Sequence, residues 1–247
     1  MSYINRSVTS YGTESDFIEA FITSFVSAHN GIVREQTPEQ VSAMFVTGNY
    51  TKPEFSFLIN GIGKITFRRG QSITDNTQSN GGYDVRFSYG SATSSWLPVK
   101  FTSSTIGFDW GNQKRTFKYQ IISNQKAIFI RFGDHNSTFP LTTTCKGLIY
   151  SDTTSQVNFI MTNTGTCYVG NEGTVCTKLN RLPYMRSVDD ITQIEVIKNI
   201  VLVGDSNELI VNPNGIWDAT TNYTTNVPLQ IGNEQCCFLD TNTVMKC

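Results

Sequence analysis

The chain has 247 residues, of which 38% are hydrophobic, 12% aromatic and 16% charged, with a formal net charge of -1. That length and apolar share are enough for one large β domain or two modest ones, packed without metal or disulfide staples. The near-neutral balance excludes the basic footprint that draws proteins to nucleic acid or anionic membranes, and no run approaches the roughly 18 apolar residues that span a bilayer as a helix.

The first dozen residues read as polar and turn-like, with no basic stretch and apolar run of the kind that heads a secretory signal. Thr13 then offers a helix N-cap with Asp16 three residues on, and Phe17, Ile18, Phe21, Ile22, Phe25 and Val26 recur at helical spacing until Asn30 and Gly31 supply a stop. A helix over 15–29 is therefore expected. Its stripe is too apolar for water, which leaves two readings open. It covers its own sheet, or Phe17, Phe21 and Phe25 form an assembly face that docks on a neighbouring subunit, with the segment before it acting as an arm.

Thr37 and Pro38 can open a short second helix reaching Phe45, because proline is favoured at the first helical position. From Glu54 the period changes to two. Phe55, Phe57 and Ile59 alternate up to Asn60 and Gly61, and Ile62, Lys64, Ile65 and Phe67 follow, which is a hairpin signature. Residues 71–82 are too polar to be buried and are expected to form a surface loop. Strands recur over 83–89, 96–101, 117–122 and 127–132, the last two joined as a hairpin around Ser123, Asn124 and Gln125.

Breakers at 132–137 and 140–144 suggest a boundary, so the chain divides into 1–140, a helix plus β domain, and 141–247, a C-terminal β domain. The second part carries shorter strands over 147–150, 156–161, 166–169, 175–179 and 193–197, then hairpins over 200–211 and 236–247. The fold class that follows is mainly β, antiparallel β-sandwich domains with one N-terminal amphipathic helix.

Chemistry is sparse. His29 ends the helix, where a cation complements the dipole, and His135 follows Asp134 in a loop with no nucleophile elbow nearby. Gly61 and Gly63 lie in a hairpin rather than at a strand-to-helix turn, so they cradle no phosphate. Asp189 and Asp190 are the one adjacent acidic pair and precede a strand. Asp75, Thr77, Ser79 and Gly81 lack the acidic ligands of a calcium loop. Cys145, Cys167, Cys176, Cys236, Cys237 and Cys247 include no C-x-x-C pair, so no metal is expected, and adjacent Cys236 and Cys237 should face opposite sides of a strand, one core and one surface. Four N-x-S/T triplets, at Asn5, Asn49, Asn136 and Asn222, read as turn chemistry. No cofactor is implied, and the chain reads as non-enzymatic. Trp96, Trp110 and Trp217 sit beside turns, where an indole either closes a core or stacks on a sugar or partner protein.

The Thr-, Asn- and Gly-rich β texture resembles virion proteins of the bacteriophage tail, baseplate or fibre region. The segments carrying it include Asn180, Arg181, Leu182, Pro183 and Tyr184, then Ile194, Glu195, Val196 and Ile197, and the run from Asn199 through Ile200, Val201, Leu202 and Val203 to Gly204. The resemblance implies a structural component of the particle, assembled in the host bacterial cytoplasm as repeated copies beside other virion proteins, with its cysteines reduced. The alternative is a carbohydrate- or receptor-binding β-sandwich module whose partner is a host-surface glycan.

Overall fold

The computed structural model describes residues 2–10, 12–45, 53–61, 63–69, 82–89, 92–100, 115–133, 145–152, 157–162, 166–169, 174–178, 196–199, 202–203, 209–211, 216–219, 228–231, 233–239 and 243–246. In chain order the elements are β1 (Ser2–Ser10), α1 (Glu14–Ala28), β2 (Ile32–Arg34), α2 (Pro38–Ala43), β3 (Glu54–Ile59), β4 (Gly63–Arg69), β5 (Gly82–Tyr89), β6 (Ala92–Thr93) and β7 (Leu97–Lys100). There follow β8 (Arg115–Ser123), β9 (Ala127–Gly133), β10 (Lys146–Asp152), β11 (Val157–Thr162), β12 (Thr166–Val169), β13 (Thr174–Lys178) and β14 (Val196–Asn199). The last are β15 (Leu202–Val203), β16 (Leu209–Val211), β17 (Ile216–Ala219), β18 (Leu229–Ile231), β19 (Glu234–Phe238) and β20 (Thr243–Lys246).

The strands form three sheets with antiparallel pairing. A central sheet runs β1-β8-β9-β10-β11-β12-β13-β15-β16; a second runs β2-β3-β4-β5-β6, with β7 on β5; a third runs β14-β17-β20-β19-β18. The fold is mainly β, as the period-two segments predict.

Local chemistry sets the first elements. Asp16 N–H donates to Thr13 Oγ1 at 3.2 Å while Thr13 N–H donates to Asp16 Oδ2 at 2.9 Å, so the capping box satisfies donors at the start of α1. Thr37 and Gln40 repeat the device at α2, with Pro38 in its first turn. Between β3 and β4, Asn60 (φ 50°) and Gly61 (φ 68°) both take the left-handed conformation that a tight hairpin needs and that Asn and Gly tolerate. Asn124 Oδ1 accepts from Lys126 N–H and Ala127 N–H, each at 2.9 Å, and so shapes the turn from β8 to β9.

Strands β8 to β11 are buried on both faces, which a period of two makes easy to sort. Phe117, Tyr119, Ile121, Ile128, Ile130, Phe132, Ile149 and Ile160 join α1 and the inner face of the second sheet in one core. Ile122, Ala127, Phe129, Leu148, Tyr150, Phe159 and Met161 meet Ile216, Cys237, Leu239 and Met245 of the C-terminal segment in another. The molecule is thus layered, with the central sheet in the middle. The layers meet closely at Gly147, where an added Cβ would lie 2.4 Å from the Phe87 ring of the second sheet.

Three expectations change. The boundary near residue 140 falls in 134–144, outside the described residues, and the central sheet crosses it: β9 pairs with β10 as Ile130 with Gly147 and Phe129 with Leu148. Residues on both sides of it therefore share one sheet and one core. The polar start is not turn-like: Ser2 to Ser10 pair residue for residue with Ser123 to Arg115. Its apolar content is too sparse to announce a strand, and the ladder to β8 supplies what the side chains lack. Cys236 and Cys237 do not divide into core and surface, since both are 1% exposed, and Cys237 is disulfide-bonded, which departs from the expectation of reduced cysteines. The loop expected at 71–82 lies outside the described residues apart from Gly82.

Candidate functional site

The phenylalanine stripe of α1 is intramolecular. Phe17, Phe21 and Phe25 are at most 1% exposed, and the Phe21 centroid lies 5.1 Å from that of Phe117, 5.4 Å from Phe67, 6.0 Å from Phe57 and 6.3 Å from Phe132. Those rings belong to the central and second sheets of the same chain, so the stripe seals the chain's own core and presents no assembly face. The two readings left open by the sequence resolve to the first, because two sheets converge on the helix and cover all of its apolar side.

Two polar clusters tie α1 in place. At its start, Glu14 is 6% exposed, accepts from the Tyr83 hydroxyl at 2.6 Å and forms an ion pair with Arg69, joining the helix to β4 and β5. Burial pushes the Tyr83 hydroxyl far above its ordinary range, so it stays a donor. At its end, Gly31 N–H donates to His29 Nδ1 at 3.0 Å, and His29 Nε2 lies 2.9 Å from Ser123 Oγ, itself 2.7 Å from Ser2 Oγ. Burial lowers the His29 pKa, keeping the ring neutral.

A histidine beside a serine invites a catalytic reading, which the tautomer excludes here. With Nδ1 accepting from a backbone N–H, the ring proton sits on Nε2, which donates to Ser123. A general base needs Nε2 free to accept. Ser123 is also only 2% exposed, so no substrate reaches it in this arrangement. Asp134 and His135 lie outside the described residues, as do Asp189 and Asp190. Among the described residues no three His, Cys, Asp or Glu side chains come together as a metal site, and no helix is long and apolar enough to cross a membrane.

The remaining candidate is Trp96. Trp110 lies outside the described residues. Trp217 is a backbone member of β17 paired with Val244, and its side chain is not described. Trp96 is half-buried between β6 and β7 and lies over the outer face of the second sheet. The Arg68 guanidinium carbon is 3.9 Å and that of Arg86 4.0 Å from the indole centroid. Register explains the meeting. Arg68 on β4 faces Asp84 on β5, Arg86 on β5 faces Thr66 on β4, and positions 66, 68, 84 and 86 all point outward, opposite the inward Phe67 and Val85. The indole's π surface is thus engaged by the chain's own cations, at roughly 0.5–2 kcal/mol per stack.

Arg68 Nε lies 3.4 Å from Asp84 Oδ2, an ion pair without a hydrogen bond. Among the described residues Arg86 has no carboxylate in ion-pairing range, and Arg68 Nε and Arg86 Nε both lack a hydrogen-bond acceptor. The sequence singled out Trp96 as a possible stacking position but neither arginine, whose only signal is an outward position on strands whose register must be known first. Further along the same face, Val33 (54% exposed) and Leu58 (39% exposed) are cross-strand neighbours. No family model matches this chain, and neither the curated proteins nor the solved structures searched gave a match.

Proposed function

We propose that this chain is a non-enzymatic structural component of a phage particle, of the tail, baseplate or fibre region, acting by packing against further copies of itself and against other virion proteins. The phage assignment draws on the sequence texture. The packing role draws on one structural observation, the edge of the central sheet.

β1 is nine residues long and, among the described residues, is paired along one side only, to β8. Asn5, Arg6 and Ser7 are exposed at its middle. Proteins that stay apart blunt such edges with proline, bulges, inward charges or very short strands. The opposite edge of this sheet, β16, has three residues, whereas β1 is regular, proline-free and carries a single charge. Its sequence has similar character read in either direction from Arg6, with Ile4 and Val8 on one face and Asn5 and Ser7 on the other. Antiparallel pairing with a second copy therefore sets Ile4 of each copy opposite Val8 of the other, on either side of one Arg6–Arg6 repulsion.

The test is sedimentation of the full chain beside an Asn5→Lys, Ser7→Lys double variant, whose lysines blunt the edge without touching the core. Wild-type oligomers that the variant loses, at unchanged thermal midpoint, support the reading. A strictly monomeric wild type, or oligomers indifferent to the lysines, overturns it. A mass-spectrometric inventory of purified particles that lacks the chain removes the virion role. The alternative, a carbohydrate- or receptor-binding module, draws support from one place, the outer face around Trp96.

A further inference from the structure

We propose that Arg86 and Arg68, stacked on Trp96, bind the oxyanion of an acidic saccharide, a carboxylate or sulfate carried on a sugar. This goes beyond the packing role and does not depend on it. Each guanidinium carries five N–H donors in a planar fork suited to a carboxylate or sulfate, yet among the described residues neither donates a hydrogen bond. Among the described residues Arg68 has the indole and its unaligned ion pair with Asp84, and Arg86 has the indole alone. Two like charges on one ring repel each other, and a single carboxylate offsets them incompletely. An arriving anion supplies the missing charge, and acceptors for the terminal guanidinium N–H groups, since the two Nε atoms are themselves buried.

The forks are also preorganised. Both stems rise from paired strands of a regular sheet, and both guanidiniums are fixed on one ring, so little rotamer freedom remains to be lost on binding. Arg68 keeps 20% of its side-chain surface open. Residues around the pair argue for a sugar over other carriers of an anion. Ser88 is half-buried on the same face, and Thr93 and Ser95 are exposed beside it, hydroxyls that match a saccharide. β4 and β5 are paired on both sides, so an acidic peptide finds no backbone edge to extend. The sequence-based expectation of a sugar stacked on a bare indole becomes, in this structure, a sugar held through its acid group by guanidinium edges.

The experiment is calorimetric titration of the full chain with five probes: a short oligogalacturonate, a dextran sulfate oligomer, a neutral dextran oligomer, inorganic sulfate and polyglutamate. Binding of the oligogalacturonate identifies carboxylate as the source, and of dextran sulfate, sulfate. Neutral dextran should be silent. Arg86→Gln should weaken the acidic oligomer about ten- to hundredfold at an unchanged thermal midpoint. Arg86→Lys, which keeps the charge but loses the fork, should also weaken it, and this variant decides the matter if the first fails to fold. No binding by either acidic oligomer overturns the proposal, as does equal affinity in Arg86→Lys or equally tight binding of neutral dextran. Inorganic sulfate binding as tightly as the oligomers means an adventitious ion only. Polyglutamate binding more tightly than either oligomer means the site serves an acidic protein, which also overturns it.

Discussion

Phe21→Ala is the sharpest test of how α1 is used. The ring is fully buried and, among the described residues, has seven aromatic neighbours with centroids between 5.1 and 6.4 Å: Phe25, Phe55, Phe57, Phe67, Phe117, Tyr119 and Phe132. Truncating a buried phenylalanine costs about 3–5 kcal/mol, partly for lost transfer and partly for the cavity left behind. This site belongs at the upper end, since the neighbours stand on two sheets and a helix and cannot all collapse inward. For a chain of this size, 4 kcal/mol corresponds to a fall of roughly 8–16 °C in thermal midpoint. Equilibrium urea unfolding, followed by near- and far-ultraviolet dichroism, reads the change directly. Val33→Ala, at a 54% exposed position, is the control and should stay within about 0.5 kcal/mol. A loss below about 1 kcal/mol for Phe21→Ala would refute the packing described, and a loss of oligomers at unchanged stability would restore the assembly-face reading.

Two further substitutions test the polar clamps at the ends of α1. Glu14→Gln removes the charge facing Arg69 at a 6% exposed site and should cost about 2–4 kcal/mol, whereas Glu19→Gln, whose pair with Arg34 is 32% exposed on the acid side, should cost less than about 1 kcal/mol; chemical denaturation of both separates them. His29 has a folded pKa below its ordinary 6.5, so the unfolded chain takes up the proton first. Its contribution is complete above about pH 6.5 and is lost as pH falls below that value. The stability difference between wild type and His29→Gln should therefore shrink on acidification, and a difference that grows or stays flat from neutral to mildly acid pH contradicts the burial of the neutral ring.

The amphipathic helix was readable because every signal for it is local. Thr13 and Asp16 cap it within one turn, and the apolar spacing spans only ten residues. The hairpin at Asn60 and Gly61 was readable for the same reason, since two adjacent left-handed residues fix the register of the strands they join. β1 was not readable. Its nine residues are mostly polar, and it is a strand only because β8, more than a hundred residues later, offers a matching ladder. The boundary near residue 140 misled in the same way, because a polar breaker ends a strand without ending a sheet.

Sequence by itself determined the class of the fold, the helix with its caps and the main hairpins, all of which depend on periodicity and turn residues. Only the tertiary structure decided which faces those elements show. It turned Phe17, Phe21 and Phe25 inward between two sheets, set a fixed tautomer on His29, and brought Arg68, Arg86 and Trp96 together. The last meeting depends on the pairing of β4 with β5 and the path from β6 to β7, and a slip of one residue would send both arginines into the core. Register is a property of strands packed against a common core, and no single strand carries it.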